Sequence, residues 1–515
     1  MKKALVWVIF LLAAVLLPAD AQECTRDSFF PNAGNCGYDV SDYRLDMTWD
    51  ADGDLWDVVE DITFTAEWDI NELHFDFTDS YEFYGLTIDG VAVDFELQDQ
   101  DLTVYYNFSH DTEYHLYAGF RGKLDYGFIF DPDGASREEN DGFCMLNEPD
   151  NARRYYICND HPKDKATYHF SFTVPASFTP AGVGRLLEIR EADGTVIVPE
   201  GDFSRKAGPE GTKGTVTFTY EAAEPMAPYL FAVCAFPFDL RQKTLADGIV
   251  ELDFVDNTIG EDYDLAWELA GQQEEIIRMF ESYLGTYPYR DLGAIVAPTR
   301  LGAALETQTR PVYDRSSLRD HIFAHELIHQ WIGDLISVED WSDIWIKEGA
   351  ASYGEDLWKL NFAGWEAYES GLIFQYEKVA NGDLKNPDAE GYAGPGEITN
   401  EINEMYGQSP YAGGALVYYS LHYKLGDEVF KQAMQLLLER YAWSTVNEEK
   451  FIDAFSEAAG EDLTDLVRSW LYYGGGHVPD LPGLETYEEA RAKQEVRDVR
   501  RKDAVVVRRP DSANA

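Results

Sequence analysis

Apolar and polar residues alternate through much of the first half of the chain. Between Tyr38 and Phe238 this alternation recurs in segments such as TFTAEW, LTVYYNF, YHFSFTVP and GTVTFTYE. A period of two places successive side chains on opposite faces of a strand, and the intervening Asp-Gly, Pro and Gly residues are typical of turns. The pattern predicts an antiparallel β-sandwich or saddle with one solvated face.

The pattern changes near Asp256, where apolar residues begin to recur with helical spacing. Three glycines at 474–476 and the prolines at 479 and 482 end this globular part. Residues 485–515 mix basic and acidic groups and predict a helical or disordered tail. The region between predicts, in order, a helix over 262–284, a buried strand over 292–297, helices over 318–335 and 343–358, and helices near 410–425, 427–440, 448–459 and 462–473.

The predicted helix over 318–335 carries the sequence HELIH, from His325 to His329. Two histidines four residues apart lie one above the other on a helical face, so both imidazoles can reach one metal ion. Glu348, in the run WIKEGAASY on the next predicted helix, is a candidate third ligand. Two His and one Glu around zinc leave a fourth position for water, which is the catalytic arrangement. Glu326 is then placed to take a proton from that water.

The bare motif also permits a structural interpretation, in which an amphipathic helix simply buries its histidines. His321 extends the four-residue series to three histidines. However, His321 and His329 are separated by roughly 12 Å along a helix axis and cannot both hold one ion. Because only the pair His325 and His329 encloses Glu326, we predict that His321 is exposed or lies behind the ligands.

The size and charge of the chain limit the number of its domains and the classes of partner it can bind. Its 515 residues predict two to three domains, and its formal charge of −53 disfavours nucleic acid and anionic membrane surfaces as partners. Two accounts of this acidity stay open: a strongly hydrated surface, or an acidic cleft that attracts cationic substrates.

The N-terminus predicts export. Lys2 and Lys3 precede an apolar run over 4–18, and the residues at 19–21 form an A-x-A cleavage site. We therefore predict that residues 1–21 are the signal peptide of a secreted or periplasmic protein. The apolar run is too short for a comfortable membrane span, so we expect no stable membrane insertion after cleavage.

An exported chain can keep disulfides. Proximity in the sequence favours the pairs Cys24–Cys36 and Cys144–Cys158, which leaves Cys234 buried in the run YLFAVCAF. The alternative is that all five cysteines are reduced, because pairing cannot be read from sequence alone.

With HELIHQWIGDLISVEDWSDIWIKEGAASY in view, the chain resembles the aminopeptidase N family of zinc metallopeptidases (gluzincins), which includes leukotriene-hydrolase-like enzymes. The similarity also covers GNCGYDVSDYRLDM near position 34, EPDNARRYYICNDHPKDKATY at 148–168 and WLYYGGGHVPDLP at 470–482. It implies an α+β fold: a β-rich N-terminal saddle or sandwich domain over 22–240, then a thermolysin-like, mostly helical zinc-peptidase domain over 241–483, with a tail over 484–515. Larger relatives continue into a C-terminal helical domain, so we expect a short form with a more open cleft.

The resemblance implies a role for each matching residue of the metal site. His325, His329 and Glu348 match the ligands of one zinc ion per chain, and Glu326 matches the general base. A zinc ion at such a site polarises the scissile carbonyl and lowers the pKa of its water to about 7.

The resemblance also implies residues that bind the substrate. Glu306, in the run AALET at 303–307, and Glu148 match carboxylates that bind the free α-amine of a peptide. Tyr411, in SPYAGGAL, matches a tyrosine that donates a hydrogen bond to the tetrahedral intermediate. Together they imply an exported zinc aminopeptidase acting on peptides with a free N-terminus. The alternatives are an endopeptidase or epoxide hydrolase on the same scaffold, or a catalytically inactive binding module.

Overall fold

The computed structural model describes residues 26–124, 142–299, 302–380, 394–399, 402–473 and 478–483. The predicted signal peptide and the predicted tail over 484–515 lie outside these residues. Within them, a β-rich N-terminal part precedes a mostly helical part, which confirms the predicted fold class.

Strands dominate the chain from Tyr38 to Asp256, as the alternating pattern predicts. In chain order the described strands are β1 Tyr38–Asp50, β2 Leu55–Ala66, β3 Ile70–Asp76, β4 Glu82–Ile88, β5 Val91–Ala92, β6 Asp94–Gln98, β7 Asp101–Phe108, β8 Thr112–Lys123, β9 Phe143–Cys144, β10 Ala166–Pro175, β11 Thr179–Gly182, β12 Arg185–Arg190, β13 Val196–Ile197, β14 Phe203–Arg205, β15 Thr215–Met226, β16 Val233–Phe236, β17 Phe238–Thr244, β18 Val250–Asp256, β19 Asp291–Leu292, β20 Ile295–Val296, β21 Ala304–Leu305, β22 Val312–Tyr313, β23 Ser337–Val338 and β24 Thr445–Val446.

The largest sheet has nine strands in the order β13-β12-β15-β10-β1-β2-β8-β4-β5. Every second residue of β2 is buried, so this strand delivers Trp56, Ile62 and Phe64 to an aromatic-rich core. All neighbours in the sheet are antiparallel except β1 and β10, which pair in parallel. The prediction of an antiparallel architecture is therefore wrong at this pair, where the long connection from β1 to β10 permits a crossover.

A small sheet of β11, β16 and β9 corrects the predicted disulfides. Cys144 and Cys234 face each other across β9 and β16 and are disulfide-bonded, so the predicted Cys144–Cys158 pair is wrong. Cys158 is free and buried. Cys36 is disulfide-bonded, and its predicted partner Cys24 lies outside the described residues. Sequence proximity failed because strand pairing joins cysteines that are 90 residues apart.

The helices follow the predicted order with different ends. The predicted helix over 262–284 is two helices separated at Gly271, and the predicted helix over 318–335 ends at Ile328. The two helices predicted near 410–440 form one element with non-helical backbone at Gly426, where φ is +72°. The described helices are α1 Tyr263–Ala270, α2 Gln273–Leu284, α3 Asp320–Ile328, α4 Trp345–Ala363, α5 Trp365–Ala380, α6 Ile402–Met405, α7 Gly414–Tyr441, α8 Glu448–Ala459 and α9 Thr464–Leu471.

A seven-stranded sheet connects the β-rich part to the helices. Its strands run in the order β14-β17-β18-β20-β22-β21, and β19 pairs with β18. β21 lies at the edge of this sheet and is followed directly by Glu306, which β21 thus presents to the helices. In the part of the chain that the structure describes, no helix is both long and apolar enough to cross a lipid bilayer.

Candidate metal and substrate site

α3 and α4 bring the three predicted metal ligands together. His325 and His329 lie on one face at the end of α3, with ring centroids 5.0 Å apart. Glu348, in the first turn of α4, places Oε2 3.3 Å from Nε2 of His325 and 3.6 Å from Nε2 of His329. The three side chains offer ligand atoms that all lie within 4.8 Å of one another.

Hydrogen bonds on the side away from Glu348 orient both imidazole rings. Nδ1 of His325 donates a hydrogen bond of 3.0 Å to Glu355, and Nδ1 of His329 donates one of 3.0 Å to the carbonyl of Ile332. These bonds fix the tautomers and turn Nε2 of each ring toward Glu348. The chain reaches this position because it turns at Gly333, where φ is +136°, instead of continuing α3 to residue 335.

The donor set fits a zinc ion. Oε2 of Glu348 is buried and accepts no aligned hydrogen bond among the described residues, although two imidazole nitrogens face it. A buried carboxylate oxygen without a donor is costly, and a cation held between these three side chains would remove that cost. Two histidine nitrogens and one carboxylate are a zinc donor set with room for a further ligand.

Lys347 joins the metal-site carboxylate to the two predicted amine-binding carboxylates. Its buried ammonium lies 2.6 Å from Oε1 of Glu306 and 2.5 Å from Oε1 of Glu348, and donates a hydrogen bond to each. It also lies 2.6 Å from Oε1 of Glu148. The structure therefore brings Glu148, from the β-rich part, and Glu306, after β21, to one point beside the metal ligands.

The charged groups of this cluster shift one another's pKa values. Burial lowers the pKa of Lys347, but Glu148, Glu306 and Glu348 reverse this and raise it well above its usual value. Burial raises the pKa of Glu348, but Lys347 and His329 bring it well below the ordinary range. The pKa of Glu306 is lowered because Lys347 and His329 outweigh its burial. Burial and the nearby Glu306 raise the pKa of Glu148 to about 8.

A cavity of about 740 Å³ opens over the metal ligands. Glu148, Glu306, Glu326 and Tyr411 all line it, whereas Lys347 lies behind the carboxylates and does not. Burial, together with Glu306 and Glu348, raises the pKa of Glu326 well above that of a free carboxyl group.

Tyr411 lies in a π-helical turn, Ser409–Gly413, that precedes α7. Its ring is nearly parallel to the imidazole of His325, with an interplanar angle of 12° and centroids 6.2 Å apart. Such turns are frequent at functional sites. Tyr406, five residues before Tyr411, also lines the cavity.

Two glycines set the distance between α4 and the start of α7. A Cβ added at Gly349 would lie 2.5 Å from the carbonyl carbon of Gly414, and one added at Gly414 would lie 2.8 Å from Cα of Gly349. Because both contacts involve backbone atoms, no side chain fits there. This contact lies one residue from Glu348 and three from Tyr411, so it holds these two residues over one cavity.

Sequence reasoning missed Lys347, Glu355 and the glycine pair. Lys347 directly precedes Glu348, a predicted buried ligand. A lysine in this position indicates a buried ion cluster, because a buried cation needs several partners. Glu355 is seven residues after Glu348 and so on the same face of α4. His321 is partly exposed and lies 3.4 Å from Asp320, and the cluster formed by His325, His329 and Glu348 does not include it.

Residues 268–470 match the model of the peptidase family M1 domain. This region of the chain is a peptidase family M1 domain. Its M1 domain includes His325, His329, Glu348 and Tyr411, whereas Glu148 lies outside the matched residues.

Curated relatives of this chain include aminopeptidases. It is 25% identical over 390 residues to aminopeptidase M1-A of Oryza sativa subsp. japonica, covering 71% of this chain and 41% of the relative. It is 26% identical over 364 residues to the glutamyl aminopeptidase of Homo sapiens, covering 67% of this chain and 35% of the relative. The chain therefore spans less than half the length of these relatives.

A solved structure of similar size shares the fold. The M1 zinc metallopeptidase of Deinococcus radiodurans matches 88% of this chain and 98% of its own, with a TM-score of 0.73 and 24% identity. A mutant of that enzyme bound to a Tyr-Ser-Ala substrate matches with a TM-score of 0.72 and 23% identity.

Proposed function

We propose that this protein is a zinc-dependent aminopeptidase that hydrolyses the N-terminal peptide bond of peptides. The observation that carries the proposal is the position of Glu148 and Glu306, whose carboxylates meet beside the His325, His329 and Glu348 cluster and line its cavity. Aminopeptidase relatives and the zinc metallopeptidase fold of the structural neighbours support it.

Recognition of the free amine rests on charge. Glu148 and Glu306 share the ammonium of Lys347, and burial with Glu306 raises the pKa of Glu148 to about 8. A substrate α-ammonium beside Glu148 would favour its ionised form, so that two ionised carboxylates and one lysine carry a net charge of −1. That charge matches one substrate α-ammonium, which charge-assisted hydrogen bonds would hold in the cavity. A blocked amine or an internal peptide segment would leave these buried carboxylates without their partner and would be rejected.

The remaining residues would each have a separate role in the hydrolysis. When bound by His325, His329 and Glu348, zinc supplies polarisation of the scissile carbonyl and lowers the pKa of water to about 7. Glu326 would take the proton of the attacking water and pass it to the leaving amine. The hydroxyl of Tyr411 would donate a hydrogen bond to the developing oxyanion, a contribution of about 3 kcal/mol in comparable sites.

We also propose the division into domains over 22–240 and 241–483, with one zinc ion per chain and export through the signal peptide over 1–21. Under this division Glu148 comes from the N-terminal domain and Glu306 from the catalytic domain. The strand β17 crosses the boundary, and its sheet extends to β21, which supports a close association between the two domains.

A panel of aminoacyl-p-nitroanilides and their N-acetylated counterparts tests the activity, each with and without a chelator. We expect hydrolysis of the free-amine compounds only, and its loss with the chelator. Equal cleavage of both sets would contradict amine recognition and favour an endopeptidase. The variant Glu306→Gln should lose the preference for free amines, and Glu366→Gln, an exposed carboxylate on α5, serves as a matched control.

A further inference from the structure

One side of the cavity is basic. Besides the carboxylates and the two predicted ligands His325 and His329, four side chains that carry or can carry positive charge line it. We call them the basic rim: Arg319, His321, Lys359 and Lys378. The chain has 41 Lys and Arg against 94 Asp and Glu, so a basic side chain normally has acidic neighbours to pair with. A concentration of cations in one cavity wall is therefore a local departure from the charge of the whole protein.

Two members of the rim have no counter-ion within the described part of the chain. Lys359 lies 2.9 Å from Asp356 and 3.7 Å from Glu355, and is neutralised by them. Arg319 and Lys378 form no ion pair with any residue that the structure describes. Arg319 precedes α3 and is exposed, and Lys378 lies in the last turn of α5.

The surroundings of Lys378 leave its ammonium available to an anion. Its Nζ lies 4.5 Å from the ring centroid of Phe374, a half-exposed aromatic that also lines the cavity. Burial lowers the pKa of Lys378, and the charges of Glu355 and Asp356 offset this only in part. These two carboxylates already bind Lys359, and Glu355 also binds His325.

The basic rim lies on the far side of the metal ligands from Glu148 and Glu306. α3 and α4 run antiparallel, because His329 meets Glu348 at one end and Asp320 accepts a hydrogen bond from Trp358 at the other. The carboxylates of Glu148 and Glu306 therefore meet the first turn of α4 through Lys347. Lys359 and the start of α3, which carries Arg319, lie at the opposite end.

The distance between the predicted metal ligands and the basic rim matches the length of a short peptide. Lys359 follows Glu348 by eleven residues, or roughly 16 Å along the helix axis, and Arg319 precedes His325 by six residues, or roughly 9 Å. An extended peptide advances about 3.3 to 3.6 Å per residue. The side chains of the rim therefore reach a group that lies two to four residues beyond the scissile bond, on the side of the leaving amine.

We propose that Arg319 and Lys378 form a subsite for a substrate carboxylate on the leaving-group side of the scissile bond. This inference rests on the proposed aminopeptidase function. It makes short peptides the preferred substrate class, because their C-terminal carboxylate reaches the rim while their α-amine is held by Glu148 and Glu306. An acidic side chain at the same distance supplies the same chemistry.

Three matched peptides test the subsite with the zinc-loaded, full-length protein: Ala-Ala-Ala, Ala-Ala-Ala-amide and Ala-Ala-Asp-amide. We expect kcat/KM for the free acid to exceed that for the amide by about three- to tenfold at low salt, and the ratio to fall as salt screens the contact. The double variant Arg319→Gln/Lys378→Gln should bring the ratio to about one. Lys213→Gln, which removes an exposed lysine outside the cavity, should leave it unchanged.

Each outcome has a defined meaning. If the aspartyl amide matches the free acid, the rim binds any carboxylate, and if it matches the alanyl amide, the rim binds the C-terminal carboxylate. A ratio of one in the unmodified protein, or a ratio that survives the double variant, overturns the proposal. Calorimetric binding of the acid and the amide to the Glu326→Gln variant, which lacks the proposed base, repeats the comparison without turnover, so a failure of the proposed hydrolysis is distinguished from a failure of the subsite.

Discussion

The ammonium of Lys347 lies 2.6 Å from the carboxylate of Glu306 in a fully buried position. Glu148 and Glu348 share the same ammonium. Three carboxylates from three separate segments of the chain thus share one ammonium as a counter-ion.

Replacing Lys347 by Met should destabilise the protein by roughly 3 to 5 kcal/mol, because it removes the ammonium that three buried carboxylates share. Denaturant unfolding monitored by tryptophan fluorescence measures this loss. The double variant Lys347→Met/Glu306→Gln should recover part of it, since one uncompensated charge is removed as well. An unfolding midpoint unchanged in Lys347→Met would contradict the ion cluster.

Replacing Glu326 by Gln should retain zinc and lose turnover by about two to four orders of magnitude, because the amide cannot accept the proton of the attacking water. Metal content by atomic spectroscopy and hydrolysis of an aminoacyl-p-nitroanilide measure the two effects. A variant that stays active, or that loses its zinc, would refute the assignment of Glu326 as the base.

Replacing Glu355 by Gln should weaken zinc binding about 10- to 100-fold, because Glu355 orients His325 through its Nδ1 hydrogen bond. Competition with a chelator of known affinity measures this change in the free energy of binding. The same substitution at the exposed Glu366 is the control and should have no effect. Equal zinc affinity of Glu355→Gln and the unmodified protein would contradict this role.

Replacing Gly349 by Ala should destabilise the protein by about 1 to 3 kcal/mol and lower kcat, because the added Cβ pushes α4 away from the backbone of Gly414. The shift would separate Tyr411 from the metal ligands. Gly53→Ala is a matched control, since a Cβ at Gly53 meets nothing within 4 Å. Thermal unfolding and steady-state kinetics measure both effects, and equal behaviour of the two variants would exclude the close approach as their cause.

The partly buried Lys165 predicts a pH dependence of stability. Burial lowers its pKa from 10.5 to about 7, so between these values the unfolded chain binds more protons than the folded one. The free energy of unfolding should therefore gain a contribution that grows as the pH rises from about 7 to 10. Lys165→Met should lack this contribution, and parallel curves of stability against pH for the two proteins would contradict it.

The sequence by itself predicted most of the elements and the candidate metal ligands. Alternation with a period of two predicts β1 and β2, and the spacing of His325 and His329 predicts two ligands on one helical face, because both patterns depend only on local backbone geometry. The roles predicted for Glu148 and Glu306 rested on resemblance, since residues so far apart in the chain meet only through the fold.

Only the tertiary structure decided how distant segments meet. The Cys144–Cys234 disulfide follows from the register of β9 and β16, and the end of α3 at Ile328 follows from the turn that orients His329. The sequence alone also does not show the role of Lys347, although this residue lies beside Glu348 in the sequence. A buried ammonium is explained only by the carboxylates around it, and long-range packing brings those together.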